Sequence, residues 1–202
     1  MRRCYSQGVI PLWLKIAWTA WVVVWAPLYA WHYGPPNFLW FCDIGNFVLA
    51  LALWTESRTL FSWQAVSLLV VQSAWVIDLI VRLLAGVHPF GATKYMFDPA
   101  IPLGVRLASL FHAAVPVLLV WAVRRLRYDP AGFWLQCVAT VIVLPVSLLF
   151  GPARDINWVY GPFDVPQSVI APPLYFALCL VGYPVLLYLP THLALRRFER
   201  AA

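Results

Sequence analysis

Three residue types that together can carry out nucleophilic catalysis occur inside apolar stretches of this chain. Cys42 supplies a thiol, His112 a base, and Asp43 or Asp78 a carboxylate. A thiol becomes a nucleophile when a base takes its proton and a third group orients that base. Such a set suits acyl transfer to, or hydrolysis of, a lipid ester presented from a bilayer. We therefore take these four residues as the candidate catalytic groups.

Other polar side chains predict a binding site around them. Asn46 follows Cys42 and Asp43 at spacings that share a helix face, and it could donate a hydrogen bond to an oxyanion. Asp78 and Arg82 are four residues apart, which predicts an ion pair on one helix face. The remaining candidate binding residues are Arg106, His32, Asn37, Asn157 and Tyr160.

Each candidate also has a structural interpretation. Asp78 and Arg82 can simply neutralise each other, and Asp43 can pair with Arg106 or Lys94 and serve only the specificity of helix packing. His112 can be a neutral histidine bonded to a carbonyl, and Cys42 an inert core residue. The same polar groups also suit a protein that binds or transports a small solute or ion, or a membrane scaffold subunit. These alternatives to the hydrolase or acyltransferase hypothesis stay open at the level of sequence.

Composition excludes most classes of soluble protein. The chain has 202 residues, of which 63% are hydrophobic and 11% charged. Soluble domains are nearer half apolar and a quarter charged. The formal net charge of +6 comes from basic residues near segment ends, so it does not indicate nucleic-acid binding. Membrane lipids are the expected partners.

Motifs for cofactors and metals are missing from the sequence. The chain has no phosphate-binding loop, no dinucleotide-binding glycine pattern and no H-E-x-x-H. Its cysteines, at 4, 42, 137 and 179, have no C-x-x-C spacing, and no two histidines are four residues apart. We therefore predict no cofactor and no metal site.

Six apolar runs must position the candidate residues. A helix needs about 20 apolar residues to cross a bilayer. Runs of that kind, separated by proline, glycine and charge, predict helices over 12–30, 36–54, 60–84, 101–122, 132–150 and 170–193. The predicted fold is all-α: a single integral-membrane domain over residues 1–202, formed by a bundle of six transmembrane helices.

Basic residues predict the orientation of this bundle. One side would carry nine arginines: Arg2, Arg3, Arg58, Arg124, Arg125, Arg127, Arg196, Arg197 and Arg200. The other side would carry four basic residues: Arg82, Lys94, Arg106 and Arg154. Lys and Arg concentrate on the cytoplasmic side of membrane proteins. Both termini are therefore predicted to be cytoplasmic, in a multi-pass protein of the bacterial inner membrane.

The polar residues are predicted to meet in the outer half of the membrane. With a rise of about 1.5 Å per residue, Asp43 and Asp78 lie roughly 10 Å, and His112 roughly 15 Å, below the outer end of their helices. Ionisable side chains in a membrane normally face the bundle interior. We expect one polar cavity open to the outer face, lined by Asp43, Asn46, Asp78, Arg82, Arg106 and His112.

Two strings, His32–Ile44 and Ile156–Pro162, together with Ser109–His112 and Tyr188–His192, resemble a family of bacterial integral-membrane proteins of about this length. That resemblance covers nearly the whole chain and implies no function.

The pair Cys42-Asp43, His112 and the pair Asn157-Trp158 are similar to features of the YwaF-like membrane proteins and the androgen-induced transmembrane hydrolases of lipid esters. In those proteins a Thr or Cys nucleophile works with a membrane histidine on acyl lipids. The resemblance implies that Cys42 is the nucleophile and His112 the base. The chain departs from the YwaF-like pattern in its shorter length and in Trp158, where the pattern has Tyr.

Overall fold

The computed structural model of the chain describes residues 10–165 and 167–201, which are helical with no strand. The helices are α1 (Leu12–Tyr33), α2 (Phe41–Thr55), α3 (Arg58–Ala85), α4 (Leu103–Ala108), α5 (Phe111–Leu126), α6 (Ala131–Leu148), α7 (Pro172–Gly182) and α8 (Leu189–Ala201). A π-helical stretch, Tyr183–Tyr188, joins α7 to α8. Short 3₁₀ turns lie at Pro35–Leu39, Lys94–Phe97, Ile156–Trp158 and Pro162–Asp164. The all-α prediction is confirmed for these residues, whereas the predicted positions of Arg2, Arg3, Cys4 and the Arg200 side chain lie outside them.

Five segments are long and apolar enough to cross a membrane: Leu12–Tyr33, Arg58–Ala85, Leu103–Leu126, Ala131–Leu148 and Pro172–Glu199. The shorter α2 is also apolar. Large apolar side chains on the outward faces are exposed, for example Trp13 at 68% and Val117 at 71%. Hydrocarbon tolerates such surfaces and water does not. The chain therefore has the character of a membrane protein.

Several predicted boundaries were wrong for local reasons. The first helix continues past residue 30 and ends at Gly34, where φ is +81° and glycine is favoured. Pro35 and Pro36 then begin a 3₁₀ turn, so α2 starts at Phe41 instead of 36. The fourth predicted helix is interrupted between Ala108 and Phe111. The last helix continues past residue 193 to Ala201.

Contacts between helix ends define two ends of the bundle. Lys15 near the start of α1 forms a 2.7 Å ion pair with Glu56 at the end of α2, so these helices run antiparallel. We call the end with segments 56–57 and 127–130 the short-loop end, and the end with segments 34–40, 86–102 and 149–171 the long-loop end. The end of α8 also lies at the short-loop end, because Arg127 donates to the Glu199 carbonyl.

The helix α3 is central, since it packs against α2, α5, α6 and α8. Between α1, α2 and α5, the fully buried Trp25 contacts the rings of Tyr29, Phe38, Phe47 and Phe111 at centroid distances of 5.1–5.7 Å. This aromatic core lies just beneath the long-loop end and supports the polar residues described next.

Candidate functional site

A group of polar and aromatic side chains from α1, α2, α3 and the α4–α5 junction meets in the long-loop half of the bundle. We call it the Asp43 cluster, and its members are Tyr29, Asn37, Cys42, Asp43, Trp75, Tyr95, Ser109 and His112. The sequence predicted four of these as site residues: Asn37, Cys42, Asp43 and His112.

Asp43 is a buried carboxylate in the first turn of α2, with 2% of its surface exposed. Asn37, in the preceding 3₁₀ turn, donates its amide to Asp43 Oδ2 at 2.6 Å. The Cys42 thiol donates to Oδ1 at 3.8 Å. Within residues 10–165 and 167–201, no cation forms an ion pair with this side chain. Asp43 is thus held by neutral donors only.

A chain of hydrogen bonds and ring contacts forms the other side of the cluster. Tyr29 is hydrogen-bonded to the Ser109 hydroxyl, and His112 Nδ1 lies 2.9 Å from the Ser109 carbonyl. The imidazole of His112 stacks on Trp75, with centroids 4.8 Å apart. Trp75 in turn donates its indole N–H to the Tyr95 hydroxyl at 3.2 Å.

The interruption between α4 and α5 explains how Ser109 can serve two partners. Here the amides bond three residues back instead of four, as Leu110 does to Leu107 and His112 to Ser109. Such a tightened turn leaves carbonyl groups with room for a second donor. The Ser109 carbonyl accepts from both the amide and the ring of His112.

Tyr95 enters the cluster from the loop between α3 and α4. Burial raises the pKa of its phenol above the ordinary value, and nearby Cys42 and Tyr33 raise it further, while Ser109 and Trp75 act in the opposite sense. The phenol is therefore neutral at physiological pH and can both donate and accept a hydrogen bond.

The thiol and the imidazole of the predicted catalytic set are not hydrogen-bonded to each other. Cys42 donates to Asp43, and His112 uses Nδ1 on a main-chain carbonyl. A carbonyl only accepts, so Nδ1 carries the proton and Nε2 is the basic nitrogen. The structure therefore brings Cys42 and Asp43 together and holds His112 in a tautomer whose Nε2 is free to act as a base.

The predicted ion pair between Asp78 and Arg82 was wrong. The fully buried Asp78 carboxylate accepts from main-chain and side-chain donors of the following loop: Phe90 N at 2.7 Å, Gly91 N at 3.1 Å, Thr93 N at 2.9 Å and the Thr93 hydroxyl, with His88 Nδ1 at 3.2 Å. Arg82 instead donates to the Gly86 carbonyl and lies 5.0 Å from the ring of Phe97. The donors to Asp78 are therefore groups of the following loop, and not Arg82 on the same helix.

Two other candidates have partners outside the cluster. Arg106 donates to the Met96 carbonyl at 3.1 Å and so fixes the loop. His32 is exposed, and its ring lies against that of Tyr33 at 4.5 Å. Asp78, Arg82 and Arg106 thus each have partners other than Asp43, and a cavity that they share with Asp43 stays a prediction.

Asn157 and Tyr160 stabilise the start of α2 and the 149–171 segment. Asn157, with φ +56°, accepts from Phe41 N at 3.1 Å and donates to the Leu39 carbonyl at 2.8 Å. Tyr160 donates to the Leu148 carbonyl at 2.7 Å. Both have a structural part in holding the chain that carries Cys42 and Asp43.

Asn46 lies one turn beyond Asp43 and is fully buried. Its amide donates to the Cys42 carbonyl at 3.4 Å, while its Oδ1 is buried without a partner in the described part of the chain. Its own carbonyl accepts from the Trp18 indole at 3.1 Å. An unpartnered amide oxygen beside a carboxylate adds an unused acceptor to this region.

Two cavities lie elsewhere. One, of about 470 Å³, lies on the outward face of α5 between Pro116 and Arg124. The other, of about 350 Å³, lies at the long-loop end and is lined by Arg154, Asp155 and Tyr175 among others. Neither is lined by a member of the Asp43 cluster.

Sequence reasoning missed Tyr29, Trp75 and Tyr95. Aromatic residues are frequent in this chain, so their type gave no signal. Tyr29 precedes Tyr33 by one helical turn, and the two rings pack at 5.2 Å. That spacing alone could have placed Tyr29 on the same face of α1 as Tyr33, which lies at the long-loop end.

No family model, curated protein or solved structure matches this chain. Among the residues that the structure describes, no group of three or more His, Cys, Asp or Glu side chains could hold a metal ion.

Proposed function

We propose that this chain is a multi-pass membrane protein that binds a small cation at Asp43. The observation that carries the proposal is that the Asp43 carboxylate is 2% exposed and has an amide and a thiol as its partners. It forms no ion pair with any residue in the described part of the chain. An ionised group in hydrocarbon costs several kcal/mol unless it is compensated. A bound cation would supply that compensation.

The surroundings of Asp43 favour a cation over an anion. The partners of its two oxygens are the neutral Asn37 amide and Cys42 thiol, and Asn46, one helical turn further on, has an Oδ1 without a partner in the described part of the chain. Oxygen atoms and aromatic faces are the groups that attract small cations and ammonium groups. Arg82 donates to the Gly86 carbonyl and Arg106 to the Met96 carbonyl, and neither forms an ion pair with Asp43 within residues 10–165 and 167–201.

Thermal unfolding of the purified protein in detergent tests this proposal. Sodium, potassium and methylammonium chloride would be titrated at constant ionic strength, with choline chloride as the balancing salt. A ligand that binds only the folded state stabilises it by about 2.7 kcal/mol at one hundred times its dissociation constant. We expect saturable stabilisation by at least one of these cations, and none in Asp43→Asn.

Asp98→Asn is the matched control, because Asp98 is exposed and, among the described residues, its carboxylate accepts a hydrogen bond only from the Ala100 amide. It should respond to cations as the wild type does. Equal stabilisation of the wild type and Asp43→Asn would contradict a cation site at Asp43.

The same proposal includes six membrane crossings with both termini in the cytoplasm. The helix α2 has 15 residues and rises about 22 Å, less than the roughly 30 Å of a hydrocarbon core. It nevertheless runs from the long-loop end to the short-loop end, where Glu56 meets Lys15. Reporter fusions after Arg127 and after Gly151 should report opposite sides of a bacterial inner membrane. The same side for both would refute this topology.

A lipid or acyl-ester hydrolase is a second candidate, supported by the tautomer of His112. The proton on Nδ1 leaves Nε2 as a base, which is what activation of a nucleophile requires. In this proposal, which also rests on the resemblance to transmembrane lipid hydrolases, a side-chain rotation brings Cys42 from Asp43 to His112.

Turnover of fluorogenic acyl esters in micelles tests the second candidate. Cys42→Ala and His112→Ala should each abolish turnover, and the double variant should be no worse, because members of one catalytic unit are not additive. Cys42→Ser should keep some activity. Wild-type turnover in Cys42→Ala would refute the hydrolase.

A further inference from the structure

The outward face of α5 carries an apolar groove with an arginine at one end. Its cavity, of about 470 Å³, is lined by Pro116, Val117, Val120, Trp121 and Arg124. These residues are spaced three or four apart, so they form one stripe along the helix. Val117 is 71% and Val120 39% exposed, so the groove is open to the surroundings of the bundle. We call it the α5 groove.

The length of the α5 groove matches one leaflet of a bilayer. Pro116 and Arg124 are eight residues apart, which corresponds to about 12 Å along the helix axis. The hydrocarbon core of a bilayer is about 30 Å thick, so each leaflet contributes roughly 15 Å. A helix of a partner protein would cross both leaflets, whereas an acyl chain occupies one. The length therefore favours a lipid chain from the leaflet at the short-loop end.

Arg124 gives the groove a positive charge at its short-loop end. It lies in the last turn of α5, just before the 127–130 segment, and its side chain is exposed. Within residues 10–165 and 167–201, Arg124 forms no hydrogen bond, ion pair or ring contact. A guanidinium group binds phosphate through paired, charge-assisted hydrogen bonds. Its charge is therefore complementary to a lipid phosphate at the membrane surface.

Trp121 and Arg125 add a fixed wall and a second charge beside Arg124. The Trp121 ring is half-buried and packs against the apolar core of the bundle. The exposed Arg125 guanidinium lies 5.9 Å from the centroid of this ring. Tryptophan is frequent at the depth of lipid headgroups. This arrangement thus places two positive charges at headgroup depth next to the apolar part of the groove.

We propose that the α5 groove binds an anionic phospholipid, with an acyl chain along Pro116, Val117 and Val120 and the phosphate at Arg124. Two arginines favour a headgroup with net negative charge, such as phosphatidylglycerol, over the zwitterionic phosphatidylcholine. No member of the Asp43 cluster lines this groove, so the inference does not depend on the cation proposal.

Native mass spectrometry of the purified protein tests the phosphate contact. Phosphatidylglycerol or phosphatidylcholine with the same acyl chains would be titrated in detergent, and the dissociation constant of the first bound lipid measured. We expect Arg124→Gln to bind phosphatidylglycerol about fivefold more weakly, the contribution of one basic residue at a membrane surface, and phosphatidylcholine as before. Arg197→Gln is the matched control, because Arg197 is exposed on α8 and does not line the groove.

The acyl-chain contact is tested by filling the groove. Val117→Trp should weaken the binding of both lipids, because the indole occupies the space of the chain. Val141→Trp is its control, since Val141 lies on α6 outside the groove and is 61% exposed. Both positions are exposed, so neither substitution disturbs the core.

Wild-type affinity for phosphatidylglycerol in Arg124→Gln would overturn the proposal, and so would an equal loss in Arg197→Gln, which would indicate general attraction to the basic end. Unchanged binding in Val117→Trp would show that the lipid does not lie in the groove. A dimer of the lipid-free protein that Val117→Trp dissociates would assign the groove to a second copy of this chain instead.

Discussion

Gly132 lies where α6 crosses the main chain of α3, and replacing it with alanine should separate the two helices. A Cβ atom at Gly132 would lie 2.5 Å from the carbonyl carbon of Ser62 and 2.5 Å from Trp63 N. Both neighbours are main-chain atoms of a helix and cannot rotate away, so the helices must move apart by roughly 1 Å to reach ordinary van der Waals separation. Inserting a methyl group into a close-packed contact lowers the free energy of unfolding by about 1–3 kcal/mol. We expect a value near 3 kcal/mol here, because the neighbouring main-chain atoms are rigid.

Separation of these helices also strains two hydrogen bonds between them. Trp63 donates to Gln136 Oε1 at 2.8 Å, and the Asp129 amide donates to the Ser62 hydroxyl at 2.8 Å. Each is worth about 1 kcal/mol net. The better helix propensity of alanine offsets up to about 1 kcal/mol. We therefore expect Gly132→Ala to lower the free energy of unfolding by about 2–4 kcal/mol, the upper value applying if both hydrogen bonds are lost.

Unfolding by titration with sodium dodecyl sulfate in mixed micelles measures this change. Gly104→Ala is the matched control, because a Cβ at Gly104, in α4, meets nothing within 4 Å. That variant should be neutral or more stable by up to about 1 kcal/mol. A free energy of unfolding for Gly132→Ala within about 0.5 kcal/mol of wild type would refute the close crossing of α3 and α6.

Three further predictions use the same titration. Asn157→Ala should cost about 2–4 kcal/mol, because it removes two main-chain bonds and leaves alanine at φ +56°. Tyr128→Phe should cost about 1–2 kcal/mol, since it removes the 2.6 Å bond to His192 Nδ1. For Asp129, burial raises the pKa but hydrogen bonds, chiefly from Thr59, outweigh it, so the pKa is lowered. The contribution of ionised Asp129 to the free energy of unfolding is therefore complete above the ordinary carboxyl pKa and is lost as the pH falls from there through the lowered pKa. Thr59→Val should reduce this loss of stability in acid.

Helices were predictable from sequence because hydrocarbon leaves the chain few choices. A main chain in a bilayer must satisfy its N–H and C=O groups internally, so long apolar runs become helices. The ends were less predictable, since they depend on single residues. The helix α1 ends only at Gly34, beyond the predicted residue 30, and the Pro35–Pro36 pair delays α2 to Phe41.

The contacts of the site were predictable only where they are local. The spacing of Cys42 and Asn46 predicted that they share a helix face, and the Asn46 amide does donate to the Cys42 carbonyl. The spacing of Asp78 and Arg82 implied an ion pair, but donors from a loop ten to fifteen residues further along the chain bind Asp78 instead. No pattern in the sequence shows that a loop folds back onto a helix. Tyr95 was missed for the same reason.

Asp43 and Asp78 look alike in sequence, and the structure separates their roles by the donors that each receives. A carboxylate can accept about four hydrogen bonds. The Asp78 carboxylate accepts hydrogen bonds from four donors of the loop and lies beside His88. Its acceptor sites are therefore all occupied, and none is available to a ligand. Asp43 receives one amide at 2.6 Å and one weak thiol donor at 3.8 Å, and it is as deeply buried. Unused acceptor capacity on a buried carboxyl group is what the proposed cation site requires. For this reason our proposal places the cation at Asp43, whereas the bonds of Asp78 hold the loop that follows α3.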